Sequence, residues 1–288
     1  MKRKSLALNG FLNALRSILN ILFPLITLPY VSRKLSVEGI GIYNFSNSFI
    51  SYFLLIAALG IDIYAVREGT KYRDDKEKIT HFSSEIFTIN IFSTLLAYLL
   101  LFLCLFLFDK FRNYISCILI FSLQIFFTTI GTNWIYQIYE DYVYITVRSI
   151  IFQLFSIILL FVFVRNSHDY LNYAAITVFS AVGSNVLNFF HARKYCHIHI
   201  IFHFNWRVHL IPILILFASN VATLIFGNSD ILLLGIMKND YIVGIYSVSS
   251  KVYGMVKTLI SALLVVTIPR LAMLFGKRRF KEYKSILF

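Results

Sequence analysis

The sequence predicts an all-α fold: a polytopic bundle of about eight transmembrane helices with its N-terminus in the cytoplasm. Three observations predict it. Hydrophobic residues make up 58% of the 288 and charged residues only 14%, an apolar excess that soluble domains do not carry. Apolar stretches of about 20 residues recur along the chain, each long enough to cross the hydrocarbon core at about 1.5 Å per residue. Basic residues gather in alternate connections between those stretches, which sets the orientation. The net charge of +13 is therefore read as topology, and nucleic acid is not expected as a partner.

Lys2-Arg3-Lys4 ahead of an apolar run imitates a secretory signal, but Asn13, Arg16 and Asn20 interrupt the run and no clear small-residue cleavage site follows. It reads as an uncleaved first span. The spans drawn are Leu8 to Val31, Ile40 to Ala65, Phe82 to Phe108, Tyr114 to Tyr136, Tyr142 to Val164, Tyr170 to Phe190, Leu210 to Met237 and Tyr241 to Leu271. With the N-terminus inside, seventeen basic residues fall on the cytoplasmic side against six outside, and four lie within spans. That bias fixes the N-in orientation.

A repeat supports a two-lobed organisation. Gly41-Ile42-Tyr43 at the start of the second span recurs as Gly244-Ile245-Tyr246 at the start of the eighth, and the same offset carries Ser46 to Ser249 and Arg67 to Arg270. The expected organisation is a six-helix first lobe over 1–194, a cytoplasmic linker over 195–209, and the first two helices of a second lobe over 210–288.

Polar side chains are costly in hydrocarbon and usually face the bundle or a water-filled cavity, so their spacing within spans is informative. Asn9, Asn13, Arg16 and Asn20 form one stripe on the first span at helical spacing. Similar stripes run through Asn44, Ser48, Ser51 and Asp62; through Thr177, Ser180, Ser184 and Asn188; through Asn220, Thr223, Gly227 and Asp230; and through Ser247, Ser250, Gly254, Lys257 and Ser261, with Lys251 beside the last. For the small residues a helix-packing seam is the simpler reading. Arg16 and Lys251 lie roughly 12 to 15 Å inside their spans, where a solvated cavity accounts for them better. Lys257 and Asp62 sit nearer the cytoplasmic ends, where snorkelling or topology explains them equally well. Arg148 falls off the polar face of its helix and reads as snorkelling. Deep cations outnumber deep acids, which suits an anionic ligand such as phosphate or pyrophosphate. The candidate substrate-binding residues are thus Arg16, Lys251, Lys257, Asn13 and Asn20, and the candidate coupling or cavity-lining residues are Asp62, Asp230, Asn44 and Asn220.

Cys196, His197, His199 and His203, with His191 and His209 nearby, match no closed zinc spacing. Histidines alternating with Ile and Phe describe an amphipathic segment at the membrane surface. The three cysteines are too few for a disulfide framework and read as packing residues. Gly39-Ile40-Gly41 lacks the strand and third glycine of a dinucleotide loop. Neither a metal nor a cofactor is expected.

The stretch Phe23-Pro24-Leu25-Ile26-Thr27-Leu28-Pro29-Tyr30-Val31-Ser32-Arg33, followed by Glu38-Gly39-Ile40-Gly41-Ile42-Tyr43, resembles the opening of bacterial polysaccharide flippases. These form the polysaccharide transporter family, within the multidrug, oligosaccharidyl-lipid and polysaccharide exporter superfamily. Leu59-Gly60-Ile61 before Arg67-Glu68, Trp134-Ile135-Tyr136-Gln137 before Glu140, and Ser229-Asp230-Ile231 before Val243-Gly244-Ile245-Tyr246-Ser247 agree in order and spacing. Asn133 and Ile138 depart from it, standing where the family more often has an acid and a glycine. The resemblance implies a non-enzymatic flippase of the bacterial inner membrane that moves polyprenyl-pyrophosphate-linked oligosaccharide repeat units by alternating access, for O-antigen or capsule synthesis. It implies membrane lipid around the protein, and a polysaccharide polymerase and chain-length regulator as partners. It also implies twelve to fourteen helices, so the chain is expected to lack later helices of the second lobe. The alternatives are a multidrug exporter of the same superfamily, disfavoured by the basic balance within spans; a membrane-embedded glycosyltransferase or polymerase, disfavoured by the short outer loops; and a non-functional remnant.

Overall fold

The computed structural model describes the backbone of residues 23–276 and the side chains of 23–258, 273, 275 and 276. All regular structure among the described residues is helical: residues 23–34 (α1), Val37–Ala58 (α2), Ile61–Gly69 (α3), Lys76–Leu107 (α4), Ile115–Gly131 (α5), Asn133–Ile138 (α6), Tyr142–Phe163 (α7), Tyr170–Val182 (α8), Asn185–Ala192 (α9), Trp206–Met237 (α10) and Asp240–Gly276 (α11), with a 3-10 turn over Asp109–Tyr114. Starts carry conventional caps: the Ser36 hydroxyl accepts from the Gly39 amide, and the Asp75 carboxylate accepts from the amides of Glu77 and Lys78. Six helical stretches, Val37–Gly69, Lys76–Leu107, Asp109–Gly131, Tyr142–Phe163, Tyr170–Ala192 and Trp206–Met237, are long and apolar enough to cross a membrane. They correspond to the second through seventh spans. The chain is a multi-pass helical bundle.

The sequence draws the second, fourth and sixth spans as single helices, and each is interrupted. The first break has Leu59 and Gly60 left-handed, at φ 47° and 80°; the second has Thr132 at φ 40°; the third is a turn at Gly183-Ser184 between α8 and α9. A β-branched residue in the left-handed region is strained, so Thr132 holds that geometry only because its surroundings impose it. The short helices α3, α6 and α9 follow the three breaks.

Two layers of packing result. At one end α3, α4 and α6 share a core with Ile145 of α7 and Tyr195-Cys196; it includes Ile61, Tyr64, Ile86, Trp134 and Tyr136. The basic residues Arg67 to Lys78 lie at this end, where the Arg73 guanidinium pairs with Glu140 at 3.0 Å and Tyr195 bonds to Asp141 at 2.6 Å. At the other end Tyr43 stacks on Tyr173, Phe45 packs on Phe111 and Tyr114, and the Tyr30 hydroxyl donates to the Val164 carbonyl at 2.8 Å.

The repeat has a structural counterpart at this second end. A Cβ on Gly41 would collide with the Asp240 carbonyl, and a Cβ on Gly244 would collide with the Val37 carbonyl. Val37 and Asp240 are themselves related by the repeat offset, so the starts of α2 and α11 approach reciprocally, each glycine receiving the other helix's first residue. Glycine is needed here for close approach.

Compact units comprise Met1–Ile245 and Tyr246–Phe288. The first unit takes in α10 and the start of α11, because α10 packs on α2, α3 and α4. The linker itself has no regular structure from 196 to 203. It runs along α4, with the His199 amide donating to Ser84 Oγ at 3.2 Å and the Ile201 amide to Thr88 Oγ1 at 3.1 Å. Ile198, Ile201 and Phe204 turn inward, a period of three, while His197, His199 and His203 are exposed.

Candidate functional site

Interrupting a helix in hydrocarbon frees backbone groups that water cannot satisfy, so a neighbouring side chain must. At the first break the Ala57 carbonyl accepts from Asn90 Nδ2 at 2.8 Å and from Ser93 Oγ at 2.5 Å, both on α4. At the second, the Phe127 carbonyl accepts from Asn185 Nδ2 at 3.0 Å, and Asn185 opens α9 just past the third break. Between the first two breaks lies a cavity of about 20 Å³, room for roughly one water molecule. Ala57, Asp62, Asn90, Thr128, Thr129 and Trp134 are among the residues lining it.

A second polar group fills the space between α6, α7 and α9. Asn133 Oδ1 accepts from Arg148 Nη2 at 3.3 Å and from Asn188 Nδ2 at 2.8 Å, and the Tyr136 hydroxyl donates to the Asn188 carbonyl at 2.7 Å. Arg148 is only 7% exposed, with its guanidinium over the Tyr144 ring at 5.7 Å. The snorkelling expectation for Arg148 is therefore corrected. Its helix face carries few polar residues, but the neighbouring helices supply the acceptor and the ring, which a single-helix argument does not see. Asn133, at the position where the resemblance expects an acid, provides that acceptor without a charge. In the connection after α9, burial and the bond to the Asp141 carboxylate both hold the Tyr195 phenol well above its ordinary pKa.

A third group ties α10 to α3 and α4. His209 Nδ1 is paired with the Tyr64 hydroxyl at 2.8 Å and its Nε2 with Glu85 Oε2 at 3.1 Å, while His81 Nδ1 approaches Glu85 Oε1 at 3.4 Å. His209 is 9% exposed. Among the described residues no three His, Cys, Asp or Glu side chains converge as metal ligands, and His197, His199 and His203 of the linker are exposed.

The sequence-predicted residues divide as follows. Arg16, Asn13 and Asn20 lie outside the described residues. Asn44 is buried, with its Nδ2 donating to the Ile40 carbonyl of its own helix at 2.8 Å. Asp62 sits in the first turn of α3 beside the small cavity. On α10, Asn220 is half-buried and Asp230 exposed; between them Thr223 is exposed, and a Cβ added to Gly227 would meet nothing within 4 Å outside its own stretch of helix. Lys251 and Lys257 stand on α11 in the unit Tyr246–Phe288, the first half-buried and the second exposed. The stripes on α2 and on α8 and α9 are packing seams: Asn44, Ser48, Ser184 and Asn188 are all buried. Among the described residues the α10 stripe is largely exposed. Sequence reasoning missed Asn90, Ser93, Glu85 and His209. The first two could have been found from the Asn90, Ser93, Thr94, Ala97 periodicity on the third span, and the breaks from glycines 60, 131 and 183 near the ends of their spans.

A family model described as "Polysaccharide biosynthesis protein" matches residues 6–275. The chain belongs to this family. Within it, the chain is 25% identical over 277 residues to a protein of Escherichia coli (strain K12) named "Putative O-antigen transporter", an alignment covering 91% of this chain and 64% of that relative. The chain thus spans about two thirds of the length of the curated relative it matches. No solved structure matches it. Part of the family resemblance falls on residues that the fold gathers at one end: Gly60-Ile61 at the first break, Arg67-Glu68 closing α3, Trp134 to Gln137 in α6, and Glu140 paired to Arg73.

Proposed function

We propose that this polysaccharide biosynthesis family member is a flippase of the bacterial inner membrane, carrying polyprenyl-pyrophosphate-linked oligosaccharides across it by alternating access. The observation that carries the proposal is the open polar stripe of α10. A helix with an apolar composition fit for a membrane keeps Thr223 and Asp230 exposed on one side. Facing lipid, that side would carry a charged carboxylate into hydrocarbon at a cost of about 2.5 kcal/mol or more; facing a hydrated path, it carries no such penalty. A glycan needs such a path, because desolvating each unpaired hydroxyl costs several kcal/mol. The reciprocal close approach of α2 and α11 at Gly41 and Gly244 supports two repeats meeting at one end, as alternating access requires. The lobes are those read from the repeat, over 1–194 and 210–288, and a polymerase and chain-length regulator are the expected partners.

The substrate phosphate is assigned to Arg16 on the sequence argument alone, since its stripe mates are Asn13 and Asn20 and a guanidinium holds phosphate oxygens bidentately. Deleting the gene should abolish surface polysaccharide and leave repeat units on the cytoplasmic leaflet without altering drug sensitivity. Complementation with Arg16→Ala should fail while the protein still inserts, and Arg16→Lys should restore only part, because the planar fork is lost. Normal surface glycan in the deletion strain, with reduced dye efflux, would replace the flippase by a drug exporter.

A further inference from the structure

A groove of about 410 Å³ opens on the membrane-facing side of α4, a volume in the range of small-molecule sites, roughly 300–1,000 Å³. Its walls are the break at Leu59, the α4 residues Phe92 and Leu96, and Ile201, Phe202 and Trp206 of the linker and the start of α10. The linker wall is held in place by the Ile201 amide bond to Thr88, and Phe92 meets Phe202 edge-on at 6.5 Å between centroids. The wall therefore stands as a built feature. Trp206 is 51% exposed and carries the Arg207 guanidinium 5.6 Å from its ring centroid. His203 is exposed nearby in sequence, and Arg193 and Lys194 precede the same linker.

A flat apolar face in a membrane needs no particular occupant, because any lipid chain covers it. A concave, aromatic-lined groove with a guanidinium beside its rim is complementary to one kind of molecule: a hydrocarbon chain ending in an anionic headgroup, with the chain along the aromatic wall and the phosphate on the planar cation. We infer that the groove holds the phosphate-proximal isoprenoid units of a polyprenyl phosphate, with Arg207 contacting the phosphate. This deepens the flippase reading and rests on it. It gives the lipid tail a seat between α4, the linker and the start of α10, apart from the polar stripe at Thr223 and Asp230 farther along α10.

The test is photolabelling of the purified full chain in bilayers with a short isoprenyl phosphate bearing a diazirine. Labelling should map to Phe92, Leu96 or Phe202 and be competed by undecaprenyl phosphate but not by phosphatidylglycerol. Leu96→Trp, which fills the groove from a half-exposed position, should reduce labelling roughly tenfold, whereas Ile151→Trp on the exposed face of α7 should not. Arg207→Ala should weaken labelling by the phosphate probe and leave labelling by the matching isoprenyl alcohol unchanged. Equal competition by phosphatidylglycerol, or equal labelling of Leu96→Trp and wild type, would overturn the proposal and make the groove a site for ordinary lipid. Groove-specific labelling in a protein whose gene deletion leaves surface glycan intact would support the groove and refute the flippase reading.

Discussion

The shared acceptor at the first helix break lends itself to a double-mutant cycle. The Ala57 carbonyl, freed where α2 gives way to Leu59-Gly60, takes two hydrogen bonds, from Asn90 at 2.8 Å and Ser93 at 2.5 Å, and both donors are buried. Asn90→Leu keeps the shape of the side chain and removes one donor, leaving the carbonyl satisfied by Ser93; the expected loss is about 1 kcal/mol, the net worth of one such bond. Ser93→Ala alone should cost about the same. The double variant leaves the carbonyl buried with neither donor, which adds the desolvation penalty of an unsatisfied group, about 1–3 kcal/mol. The pair should therefore destabilise by about 3–5 kcal/mol in total, more than the sum of the singles. Reversible unfolding of the purified protein in mixed micelles measures all three. If the double variant equals the sum within about 0.5 kcal/mol, the two side chains do not share the carbonyl, and the account of how this break is sealed is wrong.

Gly41→Ala and Gly244→Ala should each destabilise the protein by about 1–3 kcal/mol, because either methyl meets a backbone carbonyl that cannot rotate away. They should also be non-additive, since separating the two helix starts once relieves both collisions; additivity in thermal unfolding would mean that the approach is not reciprocal. The orientation read from the seventeen-to-six distribution of basic residues predicts that a periplasm-active reporter fused after Lys238 is active and one fused after Lys78 is silent. The reverse pattern would invert the topology.

How much of this was legible in the sequence follows from which forces are local. Membrane residence, the positions of six crossing helices and the gathering of basic residues at one end come from composition and from the fixed rise of a helix against a fixed hydrocarbon thickness, both readable one segment at a time. The repeat was legible too, as a recurring Gly-Ile-Tyr triplet, but that no side chain fits at Gly41 and Gly244 was decided by the neighbouring backbone of Asp240 and Val37. The helix breaks were only half legible. Gly60, Gly131 and Gly183 stand near the span ends, but a glycine within a helix does not by itself interrupt it; beside the break at Thr132, Asn185 from another helix donates to the Phe127 carbonyl, a contact that spacing along one span does not reveal.

Polar stripes show the same division. Spacing showed that these residues form polar stripes on their helices: Asn44 and Ser48, Ser184 and Asn188, Asn220 and Asp230. It did not distinguish a sealed seam from an open path, because that depends on whether another helix covers the face. Among the described residues, tertiary packing covered the stripes of α2, α8 and α9 and left that of α10 exposed, drew Arg148 inward onto Asn133 and Tyr144, and brought Glu85, Tyr64 and His209 together from three helices. Each of those outcomes is a contact between distant segments, and in a low-dielectric interior only such a contact determines where a polar side chain can be kept.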